Sequence, residues 1–509
     1  VNPYDEIPYP SHVYTQSHPE TLALAALTRG LRAAPPDRCR VLELGCNDGT
    51  NLLAIAAAFP DVEAVGVDLA GLPVAAGSAI AADARLGNVR LLVGDASRPD
   101  PAWGTFDYVI AHGLYSWVPA AVRDGILATI RQVLRPDGVA FVSYSAYPGA
   151  YARRMFREMM LLYSEGAPTV AERAQRSVEM LHAVAAARGA REAPWDAWLR
   201  NEIERRLEVP ISVLEHDDLA EVNDPVWFHE FVRHSASHGL RYLAEAEWAE
   251  NSDLAFPEGL QRALRTVEDP LGREQVRDLL KVRRFRQTLL VHSHAEPGPV
   301  RLEGVGRLFA SSVVRTDAEA PSLAVAAVES FQGRRGGRVQ TDSRIVRAAL
   351  RTLTERWPRR MRVSDLTAEA VSRVTAACGG SLPPGDGPES FLEVLPALHD
   401  AGNVGLHLTA PDAPATPGPR PTANALARAM AARGPHAVSL LQELVRLEDP
   451  RARRLIPLLD GTRDRAEILA LLRRAEEPPN APPPGAPPLS EHLLEVSLQN
   501  LAQQGFLTA

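Results

Sequence analysis

The chain has 509 residues, 45% hydrophobic and 23% charged, with 55 Lys and Arg against 63 Asp and Glu for a net charge of −8. That length suggests about three domains of roughly 100–200 residues, each able to bury a core, and the composition excludes wholesale disorder and fibrous folds. The acidic balance argues against nucleic acid as the main partner.

No apolar run approaches the roughly 18–20 residues that cross a bilayer. The opening VNPYDEIPYP has no basic region followed by an apolar one, so no signal peptide is expected. Cys39, Cys46 and Cys378 are odd in number and show no C-x-x-C spacing. Neither a disulfide framework nor a metal site is expected, and a reducing cytoplasm fits.

The first 150 residues alternate strand and helix patterns. Strands are expected at 40–44, 62–67, 89–93, 108–111 and 139–144, with a helix at 50–59 after the first. Such alternation predicts an α/β fold with a doubly wound, Rossmann-like parallel sheet. Leu134-Arg135-Pro136-Asp137-Gly138 reads as a turn before the last of these strands. From Tyr151 to about Ser293 the pattern is helical. Its stripe of Met155, Phe156, Met159, Met160 and Leu161 reads as core. Arg273, Arg277, Arg283, Arg284 and Arg286 read as a solvated or salt-bridged face.

Residues 294–338 are weakly patterned and end in the glycine-arginine stretch Gly333 to Arg338, expected as a hinge or loop. Ser343 then caps a helix to Arg356 that Trp357-Pro358 ends. Pro411 to Pro421 reads as a semi-rigid linker, and Pro478 to Pro488 as a loop. The expected domains are 1–150, a helical 151–300, an α+β 301–410 and a C-terminal 424–509.

The strongest chemical signal is Glu43-Leu44-Gly45-Cys46-Asn47-Asp48-Gly49-Thr50-Asn51. Here a strand runs into a glycine turn and a helix N-terminus, which lets backbone approach a ligand and offers free N–H groups. The next strand ends in Asp68, where a carboxylate suits a ribose diol. Asp95 lies just past the third strand, where it can accept from an adenine amine. The spacing is neither G-x-G-x-x-G nor a P-loop, which disfavours NAD and ATP.

This combination resembles the class I S-adenosylmethionine-dependent methyltransferases over about residues 35–150. The resemblance implies that Glu43 holds the methionine amino group, Gly45 and Gly49 bracket its carboxylate, Asp68 holds the ribose and Asp95 the adenine. It adds Tyr9, Asn47, Asn51, Leu69, Ala96 and His112 as cofactor contacts. The flanks extend it: Tyr4 to Ser11, Ser17-His18-Pro19, His112 to Pro119 and Gln275 to Leu290 look like the bacterial methyltransferases that carry a methyltransferase regulatory domain. That family includes lysine methyltransferases of outer-membrane proteins. Tyr144-Ser145-Ala146-Tyr147-Pro148-Gly149-Ala150 departs from the family's usual stretch after the fifth strand, which puts the acceptor in question.

Ligands sit at the carboxyl ends of such sheets, so His112, Tyr115, Trp117 and Tyr144 are candidates for the acceptor pocket, with Tyr115 catalytic. The competing reading makes Tyr115 and Trp117 core aromatics. His216, in Glu215-His216-Asp217-Asp218-Leu219, matches another family segment and is a candidate base, with Asn223 and Glu230 beyond it as substrate contacts. Around Leu459-Asp460-Gly461-Thr462-Arg463 the C-terminal helices are similar to small winged-helix peptide chaperones, which implies either peptide capture or packing against the enzyme. The expected function is methyl transfer to a protein or peptide, at a side-chain nitrogen such as lysine. Natural-product or peptide-carboxylate tailoring is the alternative, and a homodimer is possible by family analogy.

Overall fold

The computed structural model describes residues 8–188, 193–301, 304–316, 322–334, 336–411, 413–476 and 487–508. Tyr4 to Ile7 of the N-terminal motif, Arg335 and most of the Pro478–Pro488 loop lie outside the described residues.

Seven strands form the central sheet in the order β3-β2-β1-β4-β5-β7-β6. They are β1 (Arg40–Leu44), β2 (Glu63–Asp68), β3 (Val89–Val93), β4 (Phe106–Ala111), β5 (Leu134–Ser145), β6 (Leu240–Glu245) and β7 (Phe285–His292). β1 to β5 pair in parallel. Their apolar runs are buried on both faces, as a helix-covered parallel sheet requires. β7 runs antiparallel between β5 and β6. Cores lie on both faces: Val41, Phe141 and Val139 pack with the helix Thr50–Ala58 on one. Leu42, Val142 and Tyr144 pack on the other with the helix Ala120–Val133.

Two expectations need correction. The boundary at 150 cuts the sheet, because β6 and β7 come from the stretch read as helical. Leu134 to Gly138 belongs to β5, across a register irregularity opposite β4 between Phe106 and Tyr108. The glycine-arginine stretch agrees with the loop reading: it joins the antiparallel strands Glu329–Gly333 and Arg338–Thr341.

Arg286 explains why β7 escaped notice. Strand alternation places it with Thr288 and Leu290 on the face toward the helix Pro270–Lys281. Its guanidinium is fully buried and donates to Asp278 at 2.9 and 3.0 Å and to Glu245 at 2.5 Å. Thr288 Oγ1 donates to Glu245 at 2.8 Å, and Arg283 joins Asp278 at 2.8 Å. The five arginines are salt-bridged as expected in part, but Arg283 and Arg286 form a buried knot, not a solvated face.

Between β5 and the helix Phe228–Ser237 lies an insertion of three helices, Ala150–Tyr163, Val170–Arg188 and Pro194–Leu207. Phe156 and Met160 are at its core, as the methionine stripe predicts. It ends in a short helix, Ile211–Val213, followed by a π-helical turn, Leu214–Asp218. The middle region packs the helices Arg344–Arg356 and Val363–Ala377 on two small sheets, with Ser343 capping the first through Val346 N. The C-terminal module has the winged-helix pattern, with a two-stranded wing of His436–Val438 and Leu444–Arg446. Its helix Ala425–Arg433 lies on the methyl-transfer half of the chain: Arg433 donates to Asp83 at 2.7 Å and Gln442 to Ala54 O at 3.0 Å. Of the two readings of that module, packing is the one these contacts favour.

Replacing Arg286 with Leu leaves the buried Glu245 and Asp278 with Arg283 alone as their cation, at 3.7 and 2.8 Å. Breaking a buried ion network from one side costs about 3–5 kcal/mol, so R286L is expected to lower the first urea-unfolding midpoint of the full chain. An unchanged midpoint by circular dichroism would remove the knot from its structural role.

Candidate active site

β1 delivers the chain into the turn Gly45–Gly49, whose path needs left-handed backbone: φ is 73° at Gly45, 52° at Asn47 and 69° at Gly49. A Cβ on Gly45 would come within 2.6 Å of Leu114, and one on Gly49 within 2.6 Å of Leu91. Glycine is thus required twice, by dihedral angle and by space. Asp68, at the end of β2, fastens the turn by accepting from Asn47 N at 2.8 Å while its other oxygen accepts from Ala70 N at 2.9 Å.

Glu43 is 3% exposed and accepts from Asn51 Nδ2 at 3.0 Å through Oε1, while Oε2 is buried with no hydrogen-bond partner among the described residues. Burial pushes its carboxyl up to about 8. A cationic donor is what this atom lacks, and the methionine ammonium of S-adenosylmethionine is such a donor. Further along the sheet, Asp95 accepts from Ser97 N and Oγ at 2.9 and 2.7 Å, bonds that hold it below the usual carboxylate range. Leu69, next to Asp68, and Val93, two residues before Asp95, stay 63% and 64% exposed, an unusual state for apolar residues at strand ends. Ala96 is partly buried beside them in sequence. Acids flanked by open apolar side chains fit a ribose and a flat base.

The N-terminal segment crosses above this turn. Asn47 Nδ2 donates to Tyr9 O at 3.3 Å, Tyr14 N to Asn51 Oδ1 at 2.9 Å, and Asn51 Nδ2 to Ser17 Oγ at 3.2 Å. Ser11 Oγ donates to Asp48. The Tyr14 ring lies 3.8 Å from His112, whose buried Nδ1 has no partner among the described residues and whose imidazole is pushed down to about 3 by burial.

The π-helical turn closes the other side. His216 is buried with its ring 5.9 Å from Tyr9, and Tyr9 Oη donates to Asp217 Oδ1 at 3.4 Å. Trp117 Nε1 and Asn223 Nδ2 both donate to the Asp217 carbonyl, at 3.3 and 2.6 Å. Burial raises the Asp217 carboxyl, with Arg153 opposing at 3.4 Å. Tyr9, Trp117 and Asn223 therefore meet around Asp217, with the His216 ring beside Tyr9.

Three expected residues lie elsewhere. Tyr144 is fully buried, stacked 4.1 Å from Phe231 with its hydroxyl 3.1 Å from Thr288, because alternation along β5 turns it toward the core with Val142. Tyr115 packs beside it, and its hydroxyl meets His234 Nδ1 at 2.7 Å, which takes it out of a catalytic role. Glu230 is exposed and caps its own helix by accepting from Trp227 N at 2.9 Å. The site also includes Tyr14, His12, Asp217 and Arg153, which the motif reading did not single out. Asp217 stood inside a quoted segment, but nothing in spacing separates it from Asp218. A cavity of about 920 Å³ lies between the helix Pro19–Thr28, the middle region and Leu440–Glu443, and none of the expected cofactor residues lines it.

Comparison with known proteins agrees with this geometry. Residues 41–138 match a model described as a methyltransferase domain, 211–292 one described as a predicted methyltransferase regulatory domain, and 419–481 one described as PKMT, C-terminal winged helix domain. An uncharacterized protein of Rickettsia prowazekii is 32% identical over 240 residues, 47% of this chain and 96% of that protein. A second from the same organism is 33% identical over 292 residues, 57% of this chain, which spans about half (53%) of that protein's length. The structure of PKMT2 from Rickettsia typhi in complex with AdoHcy shares the fold, with a TM-score of 0.87 at 24% identity, covering 99% of this chain and 100% of that one. Among the described residues no helix is long and apolar enough to cross a membrane.

The raised acidity constant of Glu43 makes it a liability in the free chain. Unfolded, the carboxyl ionises above about 4.3; folded, it stays protonated up to about 8. Stability therefore falls as pH rises between these values. Glu43→Gln removes that loss, so its melting temperature is expected to exceed the parent's above pH 7 and to converge on it below pH 4.5. Parallel melting curves across pH 4–9 check this.

Proposed function

Since this chain belongs to the S-adenosylmethionine-dependent methyltransferases that carry a methyltransferase regulatory domain, we propose that it transfers the methyl group to a side-chain nitrogen of a protein or peptide, with lysine as the acceptor. The observation that carries this reading is the Glu43 oxygen left without a partner among the described residues, beside a left-handed glycine turn, with Asp68 at the end of β2 and Asp95 just past β3. The bound cofactor supplies an electrophilic sulfonium methyl. Glu43 would accept from its amino group, the Gly45–Gly49 backbone would lie against its carboxylate, Asp68 would accept from the ribose hydroxyls and Asp95 from the adenine amine. Asn51 would orient Glu43.

The acceptor side belongs to the Tyr9, Trp117 and His216 rings and Asp217. Aromatic faces attract an alkylammonium and exclude water. A lysine amine, ionised below about 10.4, must lose its proton before its lone pair can attack. His216 or Asp217 would take that proton, and desolvation in the same wall lowers the cost. The lysine assignment draws on the resemblance described above. The protein-substrate reading fits a site walled by the N-terminal segment and the insertion.

The test is transfer of labelled methyl from S-adenosylmethionine into a bacterial lysate resolved by size, with mass spectrometry of any labelled band. A polypeptide carrying N-methyllysine is expected; label confined to small molecules would replace this reading with natural-product tailoring. Self-labelling is a small background, since Lys281 is the only lysine and its Nζ is held by Glu250 at 3.0 Å. Asp68→Ala is expected to weaken S-adenosylhomocysteine binding by calorimetry. Asp217→Asn is expected to lower kcat with that binding preserved; equal losses in both would move Asp217 from the acceptor side to the cofactor side.

A further inference from the structure

Away from the cofactor turn, three metal-ligating side chains converge between two helices. Asp124 lies on Ala120–Val133; His234 lies on Phe228–Ser237 and His238 caps its C-terminal end. His234 Nε2 is 2.7 Å and His238 Nε2 3.2 Å from the same oxygen, Asp124 Oδ1. Among the described residues this is the one group in which three such donors all lie within 4.8 Å of one another. Sequence spacing does not reveal it, because 110 residues separate Asp124 from His234.

We propose that Asp124, His234 and His238 form a binding site for a divalent first-row metal ion of the zinc class, joining the helix Ala120–Val133 to the helix that precedes β6. The donor set is two imidazoles and a carboxylate, which zinc accepts with a fourth position left to water. Metal–ligand bonds of about 2.0–2.2 Å place tetrahedral donor atoms about 3.4 Å apart; the observed 2.7 and 3.2 Å lie below that value, so the two histidines have to move outward from Asp124 by less than about 1 Å to admit the ion. Four residues apart, the two histidines project from one face of the helix. The helix C-terminus beside them carries partial negative charge, which favours a cation.

The support around the site is also built. His234 Nδ1 meets the Tyr115 hydroxyl at 2.7 Å, so that with Nε2 on a metal the ring proton sits on Nδ1 and points at the phenol oxygen. Second-shell partners of this kind fix the tautomer and orientation of a ligating histidine. Tyr115 is itself 2% exposed and wedged against Tyr144 and Phe231. The ion has a route in, because the Asp124 side chain is 62% exposed and the histidines 26% and 20%. On binding, each neutral ring keeps its one proton on Nδ1 and gives the Nε2 lone pair to the metal.

Cobalt(II) is the probe. The full-length chain, stripped with chelator, is expected to take one Co²⁺ with the visible absorption of a low-coordinate nitrogen-ligated ion, and Zn²⁺ is expected to displace it. His238→Gln and Asp124→Asn, both at accessible positions, are expected to abolish the bands while far-ultraviolet circular dichroism stays that of the parent. Tyr115→Phe is expected to weaken zinc by about 10–100-fold. No absorption in the parent chain, or equal absorption in the parent and both ligand variants, would overturn the site.

Discussion

Asn51 holds Glu43 at 3.0 Å, and the same side chain also binds Tyr14 N at 2.9 Å and Ser17 Oγ at 3.2 Å. One amide thus satisfies one carboxyl oxygen at the end of β1 and pins the N-terminal segment above the glycine turn. The second oxygen of Glu43 is left for something the protein does not supply. An acid buried this way costs stability as it ionises, and a fold keeps such a cost where a ligand repays it. The positions of Tyr9 and Tyr14, and through Tyr9 of Asp217, follow from where Asn51 and its neighbour Asn47 hold the crossing segment.

Much of that arrangement was legible in residue order. The glycine turn and the acids Glu43, Asp68 and Asp95 are local features, each set by where a strand ends and a helix begins. Asn51 sits one turn into the helix that follows and could be placed with them. The aromatics were harder because the relevant rule is the two-residue period of a strand. Tyr144 shares a face with Ala140 and Val142, both of which are core. Read with that period, its fate is determined. Tyr115 looked like a pocket residue because it follows β4 closely, yet the segment between them turns, with Gly113 at φ 67°, and carries the ring to the core side with Tyr144.

β6 and β7 were not legible for a different reason. Phe285-Arg286-Gln287-Thr288-Leu289-Leu290 carries an arginine where an edge or surface strand would show one, while its strand lies inside the sheet. What makes Arg286 tolerable there is a set of partners from two places in the chain, Glu245 at the end of β6 and Glu274 and Asp278 on the helix Pro270–Lys281. No window of sequence shows those partners together. A buried ion network is weak evidence for stability compared with an apolar core of the same volume, but it constrains register. Shifting β7 by one residue would put Arg286 on the opposite face, away from all its acids.

The crossing segment is also anchored from behind. Three residues after Ser17, Glu20 is buried and accepts from Leu408 N at 2.9 Å, Thr409 N at 2.7 Å and Arg360 at 2.8 Å, groups of the middle region. Against the burial, which alone would raise it, Arg360 and His407 hold its carboxyl well below the usual range. The segment over the cofactor turn is therefore fixed at one end to the middle region and at the other to Asn51 and Asn47. The helix Ala425–Arg433 of the winged-helix module, in turn, bears on the helices Thr50–Ala58 and Gly71–Asp83 that flank the same turn. Both C-terminal units thus act on the site through its supports and not through its walls. Among the described residues, the side chains gathered around Asp217 come from Tyr9, Trp117, Arg153 of the insertion and Asn223, none of them from the two C-terminal units, which reach this region only through the helices and the segment that hold it.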